Sequence, residues 1–242
     1  MSEYQYYEFL AIDRPLSDAE QAAVRSLSTR ATITATSFVN EYHWGEFKGD
    51  PYLLVERYYD AHLYLANWGT HRVMFRLPGE LLDPGVVEDY HVDGYLHAGY
   101  ADEFVVVDFL GEDDADEIDH DPETLLPEIV GVRAELAGGD LRPLYLAWLA
   151  AYGNWERDED AFGRDADDDL EPPVPPGLGS LTAAQRALAD FLRLDADLLA
   201  IAAQASSSRV DSVDCPLPAR RTVAELLDGA ARRRQERRPR TK

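Results

Sequence analysis

Two acidic stretches restrict how this chain can fold. Residues 112–123 (EDDADEIDHDPE) and 156–170 hold too little apolar surface to offset the roughly 1–2 kcal/mol per residue that ordering costs, so packed structure has to come from the blocks around them. The first block, residues 1–110, is the richest in local signals. Tyr4–Ile12 (YQYYEFLAI) reads as a strand covered on both faces. Ser17 and Glu20 have capping-box spacing and open a helix reaching about Leu27. Residues 31–40 (ATITATSFVN) alternate, with Ile33, Ala35 and Val39 on one face and threonines on the other, which predicts a half-buried strand.

Tyr42–Phe47 reads as a short strand or an aromatic loop. Asp50-Pro51 is an N-cap followed by proline at the first helical position, and Leu54, Tyr58, Ala61 and Leu65 recur at helical spacing as far as Gly69. Arg72–Leu77 alternates again, with Val73, Phe75 and Leu77 inward and both arginines outward. Glu103–Leu110 is a mostly apolar, central strand. The resulting β-α-β-α-β order predicts an α+β protein: a ferredoxin-like α/β sandwich in the N-terminal half, followed by an α-helical region.

That later region is read in pieces: an acidic loop over 111–123, helices over 124–205 with an acidic and proline-rich connector at 154–179, and a linker plus arginine-rich helix or tail over 206–242. Asp140 caps a helix lined by Leu141, Leu144, Tyr145, Trp148 and Tyr152 and ended by Gly153. Thr182 with Gln185, Asp195, and Thr222 with Glu225 mark three further helix starts.

Charge is distributed unevenly. The chain carries −23 overall, yet residues 220–242 hold nine cations against three acids, a balance of +6, leaving −29 for everything before them. An acidic body with a basic end points to electrostatic steering of a macromolecular partner and says little about fold. With apolar surface confined to Val223, Leu226 and Leu227, the arginine segment reads as separable from the body. Lys48 and Lys242 are the only lysines.

The strings YYEFLAIDRPLS (6–17), SLSTRATIT (26–34), SFVNEYHWGEFKGDP (37–51), YYDAHLYLANWG (58–69) and EPPVPPGLGSL (171–181) resemble an uncharacterised family of bacterial proteins from high-GC genomes. The resemblance covers most of residues 4–205. It implies a defined body with an attached C-terminal segment, and it brings no activity and no site residues.

Motifs for chemistry are sparse. His43, His62, His71, His91, His97 and His120 include no pair at zinc-helix spacing, and the lone Cys215 excludes both an internal disulfide and cysteine-rich zinc patterns. Asp158–Asp169 imitates a calcium loop, but Phe162 replaces an oxygen ligand at its fifth position. No nucleotide or cofactor fingerprint occurs, so neither metal nor cofactor is expected. The N-terminus lacks a signal-peptide pattern and no apolar run suffices to cross a bilayer, which gives a cytoplasmic expectation without membrane contact.

Two segments stand out as partner-binding candidates. Tyr42, Trp44, Phe47 and Lys48 crowd rings and charge after a strand. Arg232, Arg233, Arg234, Arg237 and Arg238 form the basic cluster, and the run Arg232–Arg240 could also contact the phosphates of a nucleic acid. The leading expectation is a non-enzymatic intracellular interaction or adaptor protein that docks on a protein partner through its arginine-rich end. The alternatives are a hydrolase with a histidine–carboxylate site and, behind it, an acidic DNA mimic.

Overall fold

The computed structural model describes residues 3–112, 121–155, 169–206 and 220–237. The middles of both acidic stretches with His120 and the calcium-loop imitation, nearly all of the 206–218 linker with Cys215, and the end with Arg238 and Arg240 lie outside the described residues. The chain divides into two units, one running to Gly139 and one starting at Asp140. Its class is α+β, with the strands in the N-terminal half and helices dominating the rest.

The first unit is built on one sheet. Its strands are β1 (Gln5–Leu10), β2 (Thr32–Ile33), β3 (Ser37–Tyr42), β4 (Ala61–Ala66), β5 (His71–Pro78), β6 (Leu96–Ala101) and β7 (Phe104–Gly111). Their order is β2-β3-β1-β4-β5-β7-β6, with every neighbouring pair antiparallel. Because β3 and β4 both run against β1, they are parallel to each other with β1 between them, a split crossover made through α2 (Pro51–Arg57). The relation of β5 to β6 around β7 is similar, through α3 (Pro84–Glu88). Split crossovers are the ferredoxin-like ingredient, but here they serve a seven-stranded order rather than a four-stranded one.

Helices cover both faces. Facing residues of an antiparallel sheet share a side, so Tyr7 and Phe9 of β1 lie with Phe38 and Tyr42 of β3, and these pack with Val24 of α1 (Asp18–Arg25) and Leu54 and Val55 of α2. On the opposite face, β4 meets α4 (Pro122–Ile129) and β5 meets α5 (Gly131–Ala137), burying Leu126, Ile129, Val132 and Leu136. This double cover explains why β5 is not half-polar: Arg76, predicted outward, is 7% exposed.

Two sequence expectations change. The strand over 31–40 is broken by a turn, because Thr34 Oγ1 accepts from the Thr36 and Ser37 amides at 3.2 and 3.0 Å and offers the backbone a local alternative. The parity after the turn shifts, and Phe38 rather than Val39 is buried. The helix from Asp50 ends at Arg57, not near Gly69, and Ala61–Ala66 is a central strand bonded to β1 and β5. A short apolar run such as AHLYLA has no period that separates helix from strand, and pairing on both edges decides it.

Asp60 stands where α2 hands over to β4. Its carboxylate is 1% exposed and accepts from the Ile12 amide at 2.6 Å, the Asp13 amide at 2.9 Å and Arg76 Nη2 at 2.6 Å. Arg133 of α5 closes the network, donating to the Arg76 carbonyl at 2.7 Å and to Asp13 at 2.6 Å.

The second unit comprises α6 (Arg142–Trp155), a 3-10 turn at Leu178–Ser180, α7 (Ala183–Phe191), α8 (Ala196–Ala202) and α9 (Val223–Arg237). Asp140 caps α6, accepting from the Arg142 amide at 3.0 Å, but Gly153 lies inside the helix rather than ending it. The capping boxes at Thr182 and Thr222 form as the sequence predicts. The end of the second acidic stretch is tied into this unit: Leu170 bridges Thr222, and the buried Glu171 carboxylate accepts from the Tyr145 hydroxyl and from Arg221 Nε and Nη2 at 2.8 and 2.7 Å.

The described part of the arginine segment, 220–237, packs within this unit. α9 lies on α8 with Val223, Leu226 and Ala230 buried, and the helices approach so closely at Gly229 that a Cβ there would sit 3.0 Å from Ile201 Cγ2. Two substitutions test the two cores. Asp60→Ala should cost the first unit about 3–5 kcal/mol, since it strands the buried Arg76 charge and two amides. Leu226→Ala should cost the second about 2–5 kcal/mol. Hydrogen exchange resolved to residues would read each unit by itself.

Candidate functional site

The alternation of β1 puts Gln5 and Tyr7 on the face that carries α1 and α2, and the register with β4 sets Tyr7 directly opposite Tyr64. Their ring centroids are 4.8 Å apart. Gln5 fixes both phenols: its Oε1 accepts from the Tyr7 hydroxyl at 2.8 Å and the Tyr64 hydroxyl at 3.3 Å, while its Nε2 donates to the Gly45 carbonyl at 3.2 Å. Burial pushes both phenols up in pKa, so they stay neutral.

Two loops raise walls on this floor. The segment between β3 and α2 turns at Gly45, where φ is +79°, and folds Phe47 back to 5.2 Å from Tyr7. A Cβ at Gly49 would lie 2.6 Å from Phe47 Cζ, so that ring position requires glycine. On the other side, the β4–β5 turn carries Trp68, 47% exposed, and is held to the start of the chain by Asn67 and Tyr4 through two backbone-directed bonds of 3.0 and 3.1 Å. Glu3, Glu46 and Pro51 complete a cleft of about 520 Å³. None of its lining residues is a lysine, arginine or histidine.

The structure separates the sequence candidates. Phe47 lines the cleft. Tyr42 is core, edge-on to Tyr7 with its hydroxyl accepting from Asn40 Nδ2 at 2.7 Å. Trp44 is exposed beneath the Arg30 guanidinium, 4.9 Å from the ring centre, and Lys48 is exposed. In α9, Arg233 Nε and Arg237 Nη1 both donate to Asp197, at 3.0 and 2.9 Å, and hold that carboxylate below the usual range. Arg234 is half-buried, Arg232 is exposed, and Arg238 lies outside the described residues.

Gln5, Tyr7, Tyr64 and Trp68 are among the lining residues that sequence reasoning missed. Tyr64 and Trp68 fall in the stretch over which helical spacing runs on to Gly69, whereas α2 ends at Arg57 and Tyr64 lies in β4. The signal was available as a hairpin, AHLYLA and HRVMFRL around an Asn-Trp-Gly turn.

Among the described residues, the histidines do not converge on the cleft. His62 is wholly buried, stacked on Phe9 at 4.0 Å, and desolvation lowers it to about 3. His71 is buried with Nδ1 donating to the Gly69 carbonyl at 2.8 Å. His91 pairs with Asp93 at 3.0 Å. No group of three or more metal-ligating side chains forms among the described residues. A second cavity of about 470 Å³ contains Arg14 and Arg76, which are paired with Glu20 and Asp60.

Glu8 is a buried carboxyl held well above its usual range. It lies on the opposite face from the cleft, accepts from the Tyr6 hydroxyl at 3.0 Å, and is pushed up to about 7, first by burial and then by the nearby Glu123 of α4. Among the described residues, no helix is long and apolar enough to cross a membrane. Compared with protein families, curated proteins and solved structures, the chain finds no match.

A raised folded-state pKa stabilises below the unfolded value near 4.5 and is lost as pH rises through about 7. Glu8→Gln, which stays neutral, should therefore melt higher than the native chain at pH 8 and level with it at pH 4. Equal melting at both pH values would remove the buried carboxyl from the stability balance.

Proposed function

We propose that this protein is a non-enzymatic interaction protein that recognises a protein partner through the aromatic cleft of its first unit. The observation that carries this reading is the combination in one recess of Tyr7, Tyr64, Phe47 and Trp68 with fixed polar atoms at the floor. Large rings with few rotatable bonds give contact area at low entropic cost and dominate binding hot spots. Trp68 offers its ring to solvent at the rim, where a partner could cover it.

The docking role expected of the arginine segment is narrower in this reading. Arg221, Arg233 and Arg237 are engaged with Glu171 and Asp197; Arg233 and Arg237 share the one Asp197 carboxylate and stay exposed, as Arg232 is on the same described part of α9. Its contribution is steering, which raises the rate of encounter more than affinity. The hydrolase alternative draws on His91 and Asp93, but Asp93 is fully exposed, so the pair has no enclosure in which to hold a substrate away from water.

The test is capture of partners by the tagged full-length chain from its host, comparing the native protein with Trp68→Ala, Phe47→Ala and Arg232→Glu. The cleft variants should lose the partner about tenfold or more, while Arg232→Glu should retain it with weaker salt dependence. The reverse pattern would transfer recognition to α9.

A further inference from the structure

We infer that the cleft receives an arginine side chain of the partner protein. This rests on the reading of the cleft as the recognition site, and four observations on charge and hydrogen bonding carry it. First, the hydroxyls of Tyr7 and Tyr64 both lie within donating distance of Gln5 Oε1, and each phenolic oxygen has two lone pairs with which to meet an incoming donor. The amide is held in that sense because its nitrogen is spent on the Gly45 carbonyl. Second, the two ionisable carboxyls of the lining, Glu3 and Glu46, are exposed at the rim and add negative potential. The floor accepts and the rim attracts cations.

Third, the nearest cation on the sheet is neutralised. Arg72 stands opposite Tyr64 across the β4–β5 pair, but its guanidinium is turned to Asp108 through Nε at 2.8 Å and through Nη2. The positive end of a ligand therefore meets ring faces, acceptors and carboxylates. Fourth, the fold already places guanidinium groups over its own rings, Arg30 over Trp44 at 4.9 Å and Arg76 over Phe104 at 4.6 Å. A planar, weakly hydrated guanidinium stacks on an aromatic face and still donates at its edge, which an ammonium does less well. Trp68 supplies the stacking face, and the tyrosine oxygens and the glutamates supply the acceptors.

The experiment titrates the full-length protein with two peptides, acetyl-Gly-Arg-Gly-amide and the same peptide with citrulline, which keeps the shape and removes the charge. Binding is read by calorimetry and by NMR shifts of the tryptophan side chains. The arginine peptide should bind at least about tenfold more tightly than the citrulline peptide, should weaken several-fold in the double variant Glu3→Gln/Glu46→Gln, and should lose measurable binding in Trp68→Ala. Both variants alter exposed side chains, and circular dichroism checks that they fold.

Equal binding of both peptides would overturn the arginine assignment while leaving the cleft a recognition site for a neutral segment. Failure of both peptides would overturn the assignment as well. If the cleft substitutions then also leave partner capture intact, the reading of the cleft as the recognition site falls with it.

Discussion

The first unit depends on the buried pairing of Asp60 with Arg76. A charge taken out of water is tolerable only when paired and hydrogen-bonded, and this pair is placed where four segments meet: the end of β1, the start of β4, β5 and α5. The carboxylate terminates β1 by accepting from Ile12 and Asp13, so the chain leaves the sheet there and enters α1. Asp60 also exchanges backbone bonds with Leu10 and Arg76, which sets the register on both sides of β4. With that register set, Tyr7 faces Tyr64 midway along the same strands.

The cleft is thus a consequence of where the helical cover stops. α1 and α2 seal Phe9 and Phe38 with Val24, Leu54 and Val55, but over the other end the β3–α2 loop and the β4–β5 turn bring Phe47 and Trp68 as their large rings. A sheet end covered by two loops is a usual place for recognition, because loops can carry exposed rings while the strands beneath hold them rigid. The polar floor is kept rigid by Gln5, whose amide satisfies two hydroxyls and one carbonyl at once.

In the second unit the same logic of buried charge ties the C-terminal helix into the structure. Glu171 accepts from Tyr145 of α6 and from Arg221 just before α9, and Arg221 in turn donates to the Ile201 carbonyl at the end of α8 at 2.9 Å. Basic residues near a helix C-terminus are favoured there by its unsatisfied carbonyls. Asp197, at the other end of α8, takes Arg233 and Arg237. The acidic body and the basic end, opposite in sign along the chain, meet as ion pairs within the second unit.

Much of the local structure was determined by the sequence itself. Capping boxes at Ser17, Thr182 and Thr222 and the aspartate caps at Asp50 and Asp195 locate helix starts, because each satisfies amides within three residues. The β1, β5 and β7 segments are legible from composition. Tertiary structure decided what depends on distant partners: that Ala61–Ala66 is a strand, since its edges are satisfied by β1 and β5; that Arg76 points inward, since Asp60 waits there; and that most of the described C-terminal arginines are spent within the molecule. The cleft belongs to the second kind. Tyr7 and Tyr64 are separated in sequence by two helices and two strands, and only the pairing of β1 with β4 brings them face to face.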